Sequence, residues 1–438
     1  SRVGFSDPRR AVANLRSLAS RSKKPEQFAR LAVLVSDYLA RSPDPDMALN
    51  NWDRFVKVQE SPDRHYDLVL SQPKRLEILL SLFAGSQFLS DTLISNAALL
   101  EWLTDPKTLE KTQTAEELER ELEYIASKAP SREAWLSELR KFKRREILRI
   151  GTKDFCIQAP VEEITFELTS LAEASIRKAL DRVWTHLRET GKLVGWEEPE
   201  RDFCILAFGK LGGRELNYSS DVDLVGVCRA IGSETEKAAY RQLFDRVMEL
   251  LRADLSDRTP EGYVYRVDLR LRAYGRAGHL VRTFEGLTRY YKEEASFWEV
   301  QALLKARTIA GDSELGEALL EEVRPILLKE RERKEVSHLI SSLRDRRHEL
   351  LGQKEKAIDV KLQAGGIRDI EFLVQGLQLI HAPRDPSLLT GNTLKGLDLL
   401  AERGVLREAD ALKLKEDYRF LRRLEHCVQI LEDRQTHR

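Results

Sequence analysis

The sequence predicts a predominantly helical α+β protein, with one small mixed sheet set between helical regions. Three observations carry that prediction. Long stretches with apolar residues at helical spacing occupy both ends of the 438-residue chain. Between them, over residues 203–272, the apolar period shortens to that of strands. Hydrophobic residues make up 42% and charged residues 33%, the balance of a folded, helix-rich protein. The length exceeds one ordinary core, so residues 1–160 read as a helical scaffold, 161–310 as the sheet-bearing domain and 311–438 as a helical bundle region.

Taken in order, EQFARLAVLVSDYLA and ERELEYIASKA each place apolar residues on one helical face and charges on the other. SPDPD (Ser42–Asp46) is a turn or short loop, and Asp44 and Asp46 flank its proline. A long helix opens near Pro160, a residue suited to a first helical turn, with Leu168, Leu171, Ile176, Leu180, Val183 and Leu187 as its apolar stripe. GKLVGWEEPERD breaks that pattern. FCILAF is a short buried strand running into Gly209, and VDLVGV (Val222–Val227) is a second. Ser233 and Glu236 form a capping box for the next amphipathic helix. YVYRVDLRLR (Tyr263–Arg272) alternates like a half-buried strand. Beyond about residue 285 the chain is helical again. The mixed-sign run Lys329–Glu349 reads as a solvated helix face, and a last helical section runs from about 367 to 438.

Several function classes are excluded. Lys+Arg and Asp+Glu are both 72, which argues against a mainly electrostatic nucleic-acid binder. Cys156, Cys204, Cys228 and Cys427 are scattered, without metal-ligand spacing, and read as reduced thiols of a cytoplasmic protein. No apolar run approaches the roughly 18 residues of a membrane span, and SRVGFSDPRRA has no signal-peptide core. The chain opens on Ser1, which reads as a start inside a longer protein. The glycine turn at Gly209 lacks the Lys-Ser/Thr of a P-loop and the G-x-G-x-x-G of a dinucleotide site. H-E-x-x-H and G-x-S-x-G are also absent.

What remains is FGKLGGRELNYSSDVDLVGV, Phe208–Val227, a glycine-rich turn followed by two aspartates one residue apart. Residues two apart on a strand share a face, so Asp221 and Asp223 project together while Val222 and Leu224 point into the core. Two adjacent carboxylates repel, and a divalent cation is the usual means of keeping both ionised. Hard oxygen ligands suit Mg²⁺. Asp268 is the candidate third acid, on a strand that also carries Arg266, Arg270 and Arg272, and arginine suits bidentate phosphate contacts. The Gly209–Gly213 turn can bring backbone N–H groups to a phosphate, with hydroxyl donors from Ser219 and Ser220. A lone D-x-D occurs by chance; the combination with the glycine turn and a third acid on an arginine-rich strand is far more specific.

The G-x11-D-x-D spacing from Gly209 to Asp223 resembles the signature of the DNA polymerase beta-like nucleotidyltransferase superfamily. More narrowly, GKLGGRELNYSSDVDLV resembles the bifunctional glutamine synthetase adenylyltransferase/adenylyl-removing enzyme family. So do VDLRLRAYGRAGHLV, YYKEEASFWEVQALLKAR, KLQAGGIRDIEFLVQGLQLI and FLRRLEHCVQ, in the same order, over about residues 200–438. The superfamily often has Ser or Gly after its first motif glycine; Lys210 departs from that and agrees with the narrower family. ELNYSSD is similar to the adenylyl-removing half, the attaching half tending towards ELGYGSD, and the final DRQTHR is similar to the point where the first half gives way to a linker.

The resemblance implies a nucleotidyltransferase domain over 161–310, with Asp221, Asp223 and Asp268 as catalytic acids binding Mg²⁺ or Mn²⁺. Gly209, Lys210, Ser219, Ser220, Arg270 and Arg272 would face the nucleotide and its phosphates. Lys305, Arg307, Arg368 and Glu371 are further candidates, although Lys305 and Arg307 read equally as a surface helix. Arg368 and Glu371, one turn apart, read equally as a pair with each other. The implied reaction is removal of AMP from a tyrosine of glutamine synthetase by phosphorolysis, with inorganic phosphate and an adenine nucleotide as reactant and product. A nitrogen-signalling regulatory protein would be a partner. The alternatives are adenylylation from ATP, or a catalytically silent nucleotide-binding module.

Overall fold

The computed structural model describes residues 3–230, 233–275, 278–351 and 359–432. The chain divides into two compact units that are not linear in sequence. One holds the chain up to Thr112, Arg144–Ile164 and the stretch from Cys427; the other holds Gln113–Lys143 and Thr165–His426. The DRQTHR terminus lies outside the described residues. Among the described residues no helix is long and apolar enough to cross a membrane.

The first unit is helical, and proline sets its rhythm. Helices Pro8–Ser20, Pro25–Leu39, Pro45–Lys57, Pro62–Ser71 and Pro73–Gly85 each open on proline, whose missing N–H costs nothing in a first turn. Asp7 and Asp44 cap two of them, accepting from the N–H groups of Arg10 and Met47. Asp44, in the SPDPD turn, is thus a helix cap, and Asp46 accepts from Ser6 N–H at 2.7 Å. The core is built around Trp52, Phe55, Tyr66 and Phe83, all essentially inaccessible. Two polar contacts sit within it: the Trp52 indole donates to Nε2 of His65 at 3.1 Å, and the Tyr66 hydroxyl donates to the Leu18 carbonyl at 2.8 Å.

The second unit carries a mixed five-stranded sheet, ordered β3-β2-β1-β5, with β4 also pairing β2. These are β1 Phe203–Ala207, β2 Val222–Cys228, β3 Val267–Asp268, β4 Val281–Thr283 and β5 Arg307–Gly311. β1 runs antiparallel to β2 and β5; β2 runs parallel to β3 and β4. Alternation along β1 and β2 buries both faces. Cys204, Leu206, Val225 and Val227 pack under helices Phe284–Glu293, Phe297–Leu303 and Ser313–Leu327. On the other face Phe203 stacks on Phe244 at 5.2 Å and meets Trp184 edge-on. Trp184 belongs to the long helix expected from Pro160, observed as Val161–Glu189. The Ser233–Glu236 capping box opens helix Glu234–Ser256 as expected.

Two expectations are corrected. Tyr263–Arg272 does not form one alternating strand; only Val267–Asp268 pairs, because the Arg270 N–H turns to the Asp268 carboxylate at 2.8 Å and leaves the ladder. LLKAR is not a surface helix: Lys305 is buried and Arg307 begins β5.

His65 gives the first unit a pH dependence. Burial holds its imidazole down to about 4, whereas the unfolded chain titrates near 6.5. Protonation therefore favours the unfolded chain, and about 3 kcal/mol of stability present above pH 6.5 is lost as pH falls towards 4. Urea midpoints across that window should decline accordingly. In His65→Gln, whose amide oxygen still accepts from Trp52 and does not titrate, the decline should shrink; an unchanged slope would remove His65 as its source.

Candidate active site

The site forms where the helical cover of β2 stops. Asp223 lies on the same face as Val225 and Val227, but at the strand's first residues, where that face opens into a cleft of about 500 Å³. Gly209 and Lys210 of the short helical turn Gly209–Gly212, Leu271, Trp298, Gln301, Lys305, Lys361, Arg368, Glu371 and Phe372 line it with Asp223.

Backbone geometry fixes the turn against the acid. Gly209 adopts φ +57°, and a Cβ there would stand 2.3 Å from Oδ2 of Asp223. Only glycine lets the turn approach this carboxylate so closely. The Phe208 N–H donates to the Asp223 carbonyl at 2.9 Å, locking turn to strand. At Gly212 a Cβ would lie 1.9 Å from the Lys305 carbonyl oxygen, so the segment leading into β5 presses on the turn from behind. Arg307 completes the fastening by donating to the carbonyls of Leu211 and Gly212 and pairing with Glu173.

The three acids are near one another but differently engaged. Asp223 and Asp268 are register partners across the parallel β2–β3 pair. Asp221 stands one residue before β2 and accepts from Arg266 Nε at 2.6 Å. Arg266 also donates to the Ser219 carbonyl and the Tyr263 hydroxyl, tying the serine loop to β3. Asp268 takes both Arg270 Nε, at 2.8 Å, and its backbone N–H. Burial alone would raise the Asp268 carboxyl, but Arg270's hydrogen bonds and charge outweigh it and the net direction is down. Among the described residues Asp223 has no such partner: burial, then the charges of Asp268 and Asp221, push it up to about 7. Among the described residues no three acids, histidines or cysteines stand close enough, as placed, to hold an ion. The donor set still fits a hard cation, being all carboxylate oxygen, with Gly209 leaving open the side of Asp223 that a Cβ would fill.

The remaining expected residues sort by partner. Lys210 donates to Glu425 at 2.8 Å; burial, then repulsion from Arg422, push it down to about 7. Lys305 donates to Glu215 at 2.6 Å and lies 4.0 Å from Glu371. Burial would lower Lys305, yet these acids win and it is raised. Arg272 donates to the carbonyls of Leu269 and Gly278. Ser219 is buried and Ser220 half-buried in the loop before Asp221. Glu371 and Arg368 do not pair: Glu371 lies against Lys305 and the Tyr418 hydroxyl. Sequence reasoning missed Glu215, Arg422, Glu425, Lys361 and Trp298. Arg422 and Glu425, one turn apart in FLRRLEHCVQ, were the visible trace of that network.

A larger cleft, about 740 Å³, lies beside β5 and includes Arg177, Trp184 and Asp312, but none of the expected acids. Chemistry rather than volume selects the smaller one.

A glycine turn closes on a strand-borne carboxylate, with a second acid in register on the next strand, within a mostly helical α+β fold of nucleotidyltransferase type. The profile of the family described as glutamate-ammonia ligase adenylyltransferase matches residues 76–322, and that of GlnD PII-uridylyltransferase matches 334–438. The chain is 37% identical over 375 residues to the bifunctional glutamine synthetase adenylyltransferase/adenylyl-removing enzyme of Thioalkalivibrio sulfidiphilus, covering 83% of this chain and 38% of that protein. It is 34% identical over 441 residues to the protein of the same name from Streptomyces avermitilis, covering 100% and 42%, and 35% identical over 372 residues to that of Pseudomonas aeruginosa, covering 83% and 38%. The chain belongs to the glutamate-ammonia ligase adenylyltransferase family, and spans about two fifths of the length of these curated relatives.

The close approaches predict separable effects of two alanines. Gly212→Ala meets main-chain oxygen and should cost about 3 kcal/mol or more of stability, read as a lowered urea midpoint. Gly209→Ala meets a movable carboxylate and should cost only about 1–2 kcal/mol, mostly from its positive φ. Equal losses would mean that the turn does not press on Lys305 as described.

Proposed function

We propose that this chain is the adenylyl-removing portion of a bifunctional glutamine synthetase adenylyltransferase/adenylyl-removing enzyme. It would release AMP from an adenylylated tyrosine of glutamine synthetase by phosphorolysis. The observation that carries this reading is the Gly209–Asp223–Asp268 arrangement at the mouth of a cation-lined cleft, together with the ELNYSSD wording of the loop that leads into it. In the proposed step an oxygen of inorganic phosphate forms a bond to the AMP phosphorus while the bond from phosphorus to the tyrosine oxygen breaks. The products are ADP and a tyrosine that recovers its proton.

Asp221, Asp223 and Asp268 would hold Mg²⁺ or Mn²⁺, with Asp221 and Asp268 exchanging their guanidinium partners for it. When bound, the cation would neutralise phosphoryl charge and polarise the reacting oxygens. Asp223 is the acid left without an arginine, so its environment is the one a cation most improves. Arg270, 66% exposed at the side chain, is free to swing from Asp268 to a phosphoryl oxygen. The turn's backbone packs one side of the cleft, and Lys210 lies in its lining, held against Glu425. Positioning and charge neutralisation are the protein's main contributions to such a transfer. The match of 334–438 to a PII-uridylyltransferase profile supports a nitrogen-signalling protein as regulatory partner. Adenylylation from ATP is the rival reading, because the relatives' name covers both directions.

Incubation with adenylylated glutamine synthetase, Mg²⁺ and inorganic phosphate should release ADP in a phosphate-dependent way. Asp223→Asn and Asp268→Asn should lower the rate by on the order of 10²-fold or more while the far-ultraviolet spectrum is kept. Transfer of label from ATP to unmodified glutamine synthetase, without phosphate-dependent ADP, would assign the chain to the attaching direction. Full activity in Asp268→Asn would take Asp268 out of the site.

A further inference from the structure

The cations of the cleft are unequally satisfied. Lys305 has Glu215 and Glu371. Lys210 and Lys361 share Glu425, at 2.8 and 4.0 Å, and Arg422 Nε stands 3.5 Å from the same residue. Glu425 is thus the nearest carboxylate to all three groups, with Glu371 adding its charge at longer range. Arg368 has less still: its Nε and Nη1 are buried, and neither finds a hydrogen-bond partner among the described residues. Its guanidinium lies 5.7 Å from the Phe372 ring, one face covered and the donor edge uncommitted.

Leaving such donors empty is costly, because a buried charged donor forfeits its water without receiving an acceptor. The position compounds the cost. Arg368 lies in the first turn of helix Ile367–His381, where the helix dipole disfavours a cation and favours an anion. The carboxylate expected from helical spacing, Glu371, is committed to Lys305 and Tyr418. Asp223, on the same cleft, faces the glycine turn and Asp268. Nothing described within the protein completes Arg368. A planar fork with free edges, beside a second under-neutralised cation, matches a phosphate oxyanion in charge and shape.

We propose that Arg368, assisted by Lys361, forms an oxyanion subsite that binds a phosphate group across the cleft from Asp223. This rests on reading the cleft as the site of nucleotidyl transfer, and it assigns the second phosphate of that reaction to a place of its own. The oxyanion is either free inorganic phosphate or the terminal phosphate of a nucleotide. Lys361 sets the charge and Arg368 the orientation.

The test is a ³¹P NMR titration of the full chain in Mg²⁺ buffer, once with inorganic phosphate and once with ATP, in wild type and Arg368→Gln. Loss of a bidentate charged contact should weaken binding by about 10- to 100-fold. Weakening confined to inorganic phosphate identifies the free ion as the ligand. Weakening confined to ATP identifies the nucleotide's terminal phosphate, with the subsite still assigned. Equal affinity of wild type and variant for both ligands overturns the proposal, as does a wild-type chain that binds neither. Arg368→Lys keeps the charge but not the fork; it should fall between the two, and it replaces the glutamine variant if that one does not fold. These titrations need neither glutamine synthetase nor turnover, so a failed phosphorolysis assay would count against the reaction and leave the subsite to be judged by binding.

Discussion

The second unit is tied together at Glu215. Its carboxylate accepts from Lys305 Nζ and from the Thr393 N–H, and its carbonyl accepts from Arg422 Nη2 at 2.7 Å. Glu215, two residues beyond Gly213, thereby fixes the approach to β5, the start of helix Thr393–Glu402 and the body of helix Glu408–Glu432. All these groups are buried, so removing any one strands another charge; such losses run to about 3–5 kcal/mol. The glycine turn cannot shift without disturbing this knot. The position of Gly209 against Asp223 is inherited from it.

Charge around the cleft follows a consistent division. Acids on the strand side have arginines, with Arg266 on Asp221 and Arg270 on Asp268. Lysines on the helix side have glutamates, with Glu425 and Glu215 serving Lys210 and Lys305. Asp223 and Arg368 are the two groups left outside these pairings, and they line the same space. A structural network would close such gaps internally. In the proposed reading they are left for a ligand that brings a cation to one and an anion to the other.

Much of this was legible in the sequence where local chemistry decides. β1 and β2 announced themselves as short apolar runs, and Ser233–Glu236 as a capping box, because neighbours in the chain settle both. Asp268 was expected on a strand neighbouring that of Asp223 and stands there, although the alternating strand expected over Tyr263–Arg272 shrinks to Val267–Asp268. What local pattern missed has a common cause. β4 and β5 are short and gain their identity from pairing with β2 and β1. Lys305 is buried because Glu215, 90 residues away, receives it. Arg368 and Glu371 have the spacing of a helical pair, worth only a few tenths of a kcal/mol, and buried tertiary partners override that. Helical proline openings in the first unit were readable but ambiguous, since the same residue also marks loops.

The contact between Lys210 and Glu425 spans 215 residues of chain. During synthesis the turn leaves the ribosome long before its counter-charge is made: at about 5–20 residues per second the interval is roughly 10–40 s. For that time the nascent sheet has its glycine turn but not the helix that steadies it. A translating ribosome therefore carries a half-built domain whose cleft matures only once helix Glu408–Glu432 is made. Any shortened product that stops before that helix inherits the acids without the scaffold that aims them.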